Sequence, residues 1–213
     1  MTAHSIALIA WLGLALLARP GDASAGDIVS RVEFKHGALT IDHTQGIAQI
    51  TEAQARNGPS RKSPVRKGQP ATYGLGLFIN DLKLDVSTGE TSARPGSISV
   101  LTRIATSPTI YVAREFAKDS CAYAVILEHE RQHYLFDLNI LRDLPTDIER
   151  LAQEVFTGNA GAKRTQQFVD RVEHAYAAKS FAQHVAIDNL LSYGDLAGQC
   201  DGAIRDHINR LGR

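Results

Sequence analysis

The sequence lacks an excess of either charge: 23 Lys and Arg balance 23 Asp and Glu over 213 residues. Nucleic acid and acidic membrane surfaces both reward a basic excess, so neither is expected as the main partner. Cysteine is scarce too, with only Cys121 and Cys200, 79 positions apart. That spacing excludes a C-x-x-C redox motif or zinc knuckle. There is no internal repeat and no long low-complexity tract. Nor is there an apolar run long enough to span a bilayer comfortably as a helix, which takes about 20 residues. The strongest candidate, "SIALIAWLGLALLA" from Ser5 to Ala18, has 14.

What that run does fit is an export signal. It is followed by "RPGDASAG", which places Ala23-Ser24-Ala25 before Gly26. Residues 1–25 therefore read as a signal peptide cut near Ala25, implying a periplasmic or secreted protein. The head of the segment, "MTAHS", carries no Lys or Arg. The remaining residues 26–213 suit one domain with a real core. Two cysteines in an exported chain are expected to pair, as Cys121–Cys200.

Hydrophobic periodicity changes near residue 118. Ahead of it, "VEFKHGALTID" (32–42), "GLGLFINDLKLDVSTGE" (74–90) and "GSISVLTRIATSPTIYVAREF" (96–116) alternate apolar with polar or small residues, or are rich in β-branched ones. These are strand signals. The segment 56–70 between the first two has three prolines and two glycines and reads as an exposed loop. Beyond residue 118, Asp119 or Ser120 can cap a helix whose inner stripe is Ala122, Val125, Ile126, His129, His133, Phe136 and Ile140. Leu144-Pro145 is expected to end it, with a second helix over 147–156, a long one over about 163–191 and a short one over about 201–211. The predicted class is α+β: a small antiparallel or mixed sheet from residues 26–117, packed on helices from residues 118–213.

The chemistry concentrates in "EHERQH", residues 128–133, where His129, Glu130 and His133 form H-E-x-x-H. On a helix, residues four apart share a face with Cβ atoms about 6 Å apart, so both imidazoles can reach one ion at about 2.0–2.1 Å. Glu130 sits about 100° round the helix, placed for a water held by that ion rather than for the ion itself. The preceding strand, "TIYVAREF", could present a sheet edge to an extended peptide. Two histidines alone leave a zinc ion under-coordinated. The candidates for a third ligand are Asp188, Glu149, Glu154, His174 and His184. Asp137, at i+8 from His129, lies about 12 Å along the axis and is expected to support the site rather than bind. Tyr193, just past the long helix, could donate to an oxyanion.

These residues resemble the zincin metallopeptidases, the class defined by H-E-x-x-H on a helix. More narrowly, residues 108–194 are similar to a family of secreted bacterial proteins regarded as zinc-dependent peptidases and of unassigned function. The Cys121 that precedes the motif and the Asp188…Gly194 pair carry that similarity, and the latter also resembles the aspzincins, in which an Asp is the third ligand. The resemblance implies Zn2+ bound by His129, His133 and Asp188, Glu130 as general base, Tyr193 beside it, and a peptide or protein substrate. Two other readings stay open: a non-catalytic envelope or binding protein whose metal is structural or absent, and a peptidoglycan amidase or endopeptidase.

Overall fold

The computed structural model describes residues 27–57, 74–91, 96–157, 160–190 and 198–211. The segment 1–25 expected to be a signal peptide, most of the expected loop 56–70, and Tyr193-Gly194 lie outside them. The chain is mixed α/β. In order, it forms β1 (Ile28–His36), β2 (Thr40–Asp42), α1 (Ile47–Asn57), β3 (Gly76–Glu90), β4 (Ile98–Val112), α2 (Cys121–Val155), α3 (Ala162–Leu190) and α4 (Ala203–Leu211). A short 3-10 turn, Cys200–Gly202, leads into α4.

The sheet is built around β4. β3 runs antiparallel along its full length, from Gly76 opposite Val112 to Glu90 opposite Ile98. A strand has two edges, so β1 and β2 share the other one, both parallel to β4. Their registers differ by one residue: His36 lies opposite Thr106, whereas Thr40 lies opposite Thr109. The extra residue falls beside Pro108, which has no N–H to offer a neighbour. The expected sheet edge on "TIYVAREF" is therefore not there, because β4 is paired on both sides.

Strict alternation explains which face is buried. Ile98, Val100, Thr102, Ile104, Thr106, Ile110 and Val112 of β4 all point at the helices. α2 covers that face. Its start is capped by Ser120, whose Oγ accepts from the Tyr123 backbone N–H at 3.1 Å.

Two features of α2 depart from the sequence reading. The helix does not end at Pro145 but runs unbroken for 35 residues. Leu141, Leu144, Ile148, Leu151 and Ala152 are buried on one face on both sides of the proline. Burying a large aliphatic side chain is worth about 1.5–3 kcal/mol. Several of them outweigh a helical proline, which costs about 3 kcal/mol. Secondly, Phe136 is 40% exposed and Asp137 takes its place inside. Helix α1, which follows no long periodic pattern, is a third departure. Ile47 and Ile50 bury it against Leu75 and Phe78, in the half of the chain expected to be mainly β.

Apolar packing falls into two clusters. One joins β1, β4, the second half of α2 and the first half of α3, through Val100, Ile104, Leu144, Ile148, Phe156 and Phe168. The other joins α1, the ends of β3 and β4, the start of α2, and α4, through Ile50, Leu75, Ile110, Val112, Ile126 and Ile204. Cys121 and Cys200 form the expected disulfide, with Cα atoms 5.6 Å apart, and tie the start of α2 to the turn before α4. No described helix is long and apolar enough to cross a membrane. Replacing both cysteines by serine should lower unfolding stability by about 2–4 kcal/mol. Urea melts of oxidised wild type and of the double variant check this.

Candidate metal centre

Between the two apolar clusters, the buried face of α2 turns polar for three successive turns. His129, Glu130, His133 and Asp137 are each 3–4% exposed. Burying this many ionisable groups is unfavourable unless each finds a partner. The neighbouring elements supply partners to His129, His133 and Asp137.

His129 and His133 are one turn apart, and their rings meet edge to face with centroids 4.9 Å apart. Their Nε2 atoms approach to 3.2 Å. Asp188, on the last described turn of α3, sends Oδ1 to 3.5 Å from His129 Nε2 and 3.3 Å from His133 Nε2. Three lone-pair atoms thus form a nearly equilateral triangle. Protons alone fill it poorly: with both rings protonated at Nε2 two N–H groups 3.2 Å apart repel each other, and with one proton two of the three acceptors are left facing each other. A cation satisfies all three atoms at once, so the donor set fits a metal ion. Among the described residues no further His, Cys, Asp or Glu joins this group. The Asp188 side chain is 56% exposed, which makes its side of the triangle the open one.

The electrostatics agree with that arrangement. Burial pushes the His133 imidazole down, toward the neutral form that offers a lone pair; the Asp188 hydrogen bond only partly opposes this. For Asp188, burial works against ionisation, but hydrogen bonds from His129 and His133 overcome it and hold the carboxyl well below the usual carboxylate range.

Glu130 points at the sheet. A Cβ placed on Gly76, the first residue of β3, would lie 2.7 Å from Glu130 Oε1 and 2.8 Å from its Cγ. The absence of a side chain at Gly76 is what lets Glu130 lie there. The Gly76 carbonyl is held in turn by Gln54 Nε2 of α1 at 3.0 Å.

Asp137, one turn beyond His133, does not join the triangle. Asn80 Nδ2 of β3 and the Tyr176 hydroxyl of α3 each donate to it at 2.6 Å, so it clamps α2, β3 and α3 together one turn beyond His133. Burial raises its carboxyl above the ordinary value, partly offset by those two hydrogen bonds. Burial and the nearby Asp137 raise the Tyr176 hydroxyl strongly, keeping it a protonated donor.

The other sequence candidates are elsewhere. Glu149 and His174 are exposed. Glu154 is bound by Arg150 at 2.6 Å and Arg171 at 2.5 Å on the helix surface. His184 lies beside the triangle rather than in it: its ring stacks on that of His133, centroids 4.3 Å apart and 16° from parallel. Tyr193 falls outside the described residues. Gly76, Asn80 and Tyr176 carry no motif that would have singled them out. Their signal is positional and appears only once three elements meet at α2.

No protein-family model matches the chain, and comparison with curated proteins and with solved structures finds no match.

Two outcomes are expected. Gly76→Ala should displace Glu130 while leaving metal affinity close to wild type, as read by a chelator competition titration. For Asp137, a folded-state value above the unfolded one (about 3.9) means its contribution to stability is greatest below that pH and falls as pH rises through the raised value. In metal-free protein, the melting temperature of wild type should therefore drop relative to that of Asp137→Asn between acid and neutral pH. Paired thermal scans measure that difference.

Proposed function

We propose that this chain is a zinc-dependent hydrolase acting on peptide or amide bonds. One observation carries the reading: the triangle of two imidazole nitrogens and one carboxylate oxygen, with sides of 3.2, 3.3 and 3.5 Å. Three ligands at about 2.0–2.1 Å from a tetrahedral zinc stand roughly 3.3–3.4 Å from one another. The donor types favour zinc, and three protein ligands with an open position are the pattern of catalytic rather than structural sites. A non-catalytic protein with a structural zinc would need a fourth ligand, and the described residues offer three.

Zinc, when bound, would polarise a carbonyl and lower the pKa of a water toward about 7. His129, His133 and Asp188 would hold it from α2 and α3. Glu130, next in sequence to His129 and seated against Gly76, would take a proton from the attacking water and pass it to the leaving amine. Asp137 would keep α2, α3 and β3 in register while this happens. Tyr193 is the proposed donor to the developing oxyanion. The Cys121–Cys200 disulfide supports placing the protein in an oxidising compartment, periplasmic or extracellular, with peptides, proteins or the peptide part of the cell wall as substrates.

The test is a matched set of variants. Glu130→Gln should keep stoichiometric zinc and lose hydrolysis by several orders of magnitude, whereas His133→Ala and Asp188→Ala should lose zinc itself. Metal content by atomic absorption, beside cleavage of a casein or peptide-library substrate, reads both. Wild-type protein that takes up no zinc after reconstitution would overturn the proposal.

A further inference from the structure

His184 belongs neither to the metal triangle nor to the apolar core, yet its ring is held from three directions. Its Nδ1 lies 2.9 Å from the Ser180 carbonyl one turn back on α3. A carbonyl can only accept, so Nδ1 carries the proton, and this fixes both the tautomer and the ring's tilt. One face of the ring stacks on His133 at 4.3 Å and 16°. The ring of Phe78, from β3, also lies near-parallel to it, at 6.4 Å and 16°, and meets Tyr134 edge-on at 6.0 Å. Asp188 is one turn further along α3. The same helix therefore presents a carboxylate to the Nε2 atom of His133 and a flat ring to its face.

From this we infer that His184 is a positioning residue for the metal centre: its plane, anchored to the Ser180 carbonyl and stacked between β3 and α2, keeps the His133 ring aimed at the ion. The inference rests on the zinc reading above and deepens it. An imidazole on a helix can rotate about its last side-chain bond. Asp188 opposes that rotation through a single contact at the coordinating edge. A parallel ring over the face adds a broader restraint, because turning His133 would break the stack. Metal ligands are commonly held by an outer partner whose loss weakens binding about 10–100-fold. For His133 the stack fills that place, since its Nδ1 is buried with no hydrogen-bond partner among the described residues.

The experiment uses the full chain with its disulfide intact and three variants: His184→Ala, His184→Leu and His184→Phe. Zinc affinity is read by chelator competition, and ligand geometry by the visible absorption of the cobalt-loaded protein. The melting temperature of the metal-free form serves as the folding control. The Ala and Leu variants are expected to bind zinc about 10–100-fold more weakly, with a changed cobalt spectrum. The Phe variant, which restores a flat ring, should return both toward wild type even if Ala impairs folding. If Leu matches wild type in affinity and spectrum, space-filling suffices and the inference is overturned. Failure of Phe to improve on Leu overturns it as well. Wild type that binds no zinc fails at the earlier step and overturns both readings together.

Discussion

Four ionisable or polar side chains on one face of one helix, sealed between two apolar clusters, set the terms for the rest of this molecule. A continuous hydrophobic stripe on α2 would have been the simpler solution. Instead the stripe is interrupted at His129, Glu130, His133 and Asp137, and every neighbouring element bends its composition to that interruption. β3 gives up a side chain at Gly76 and supplies an amide at Asn80. α3 supplies a hydroxyl, an imidazole and a carboxylate at Tyr176, His184 and Asp188. Residues buried without such compensation would each be a debit against a fold that is stable by only about 5–15 kcal/mol.

The architecture gives that polar interruption a rigid setting. β4 has partners on both edges and buries its even-numbered residues under α2. α2 continues through Pro145 for 35 residues, about 50 Å at 1.5 Å per residue. The candidate ligands His129 and His133 near its start and the apolar cluster near its end are thus parts of one rod. α3 packs back along it, and the contacts between them change character along their length. Phe156 and Phe168 meet near the turn, Asp137 and Tyr176 midway, and the triangle forms near the far end.

Local patterns were readable where the physics is local. The period-two alternation of residues 98–112, the capping Ser120, the H-E-x-x-H spacing, the extent of α3 and the pairing of the two cysteines all follow from neighbours in sequence or from compartment chemistry. Asp188 was open to suspicion only through its place near a helix end and its resemblance to a known ligand pattern; its approach to both imidazoles depends on how α3 crosses α2. What stayed hidden was hidden for the same reason. Pro145 signals a helix end until the burial of Leu144 and Ile148 is known. Phe136 outranks Asp137 on any hydrophobic scale until Asn80 and Tyr176 are seen to converge on the carboxylate. The open edge expected on β4 depended on strand order, which no window of residues contains.

The disulfide has an effect on the chain when it is not folded. His129 and Asp188 are 59 residues apart along the backbone, but the path through Cys121–Cys200 joins them in about 20. Chain-closure entropy scales with the logarithm of that length, so the crosslink eases their encounter by roughly 1 kcal/mol. An oxidised chain still collapsed and searching would present both halves of the donor set to a passing ion more often than a reduced one. The covalent connectivity would then favour metal capture by the oxidised chain over the reduced one.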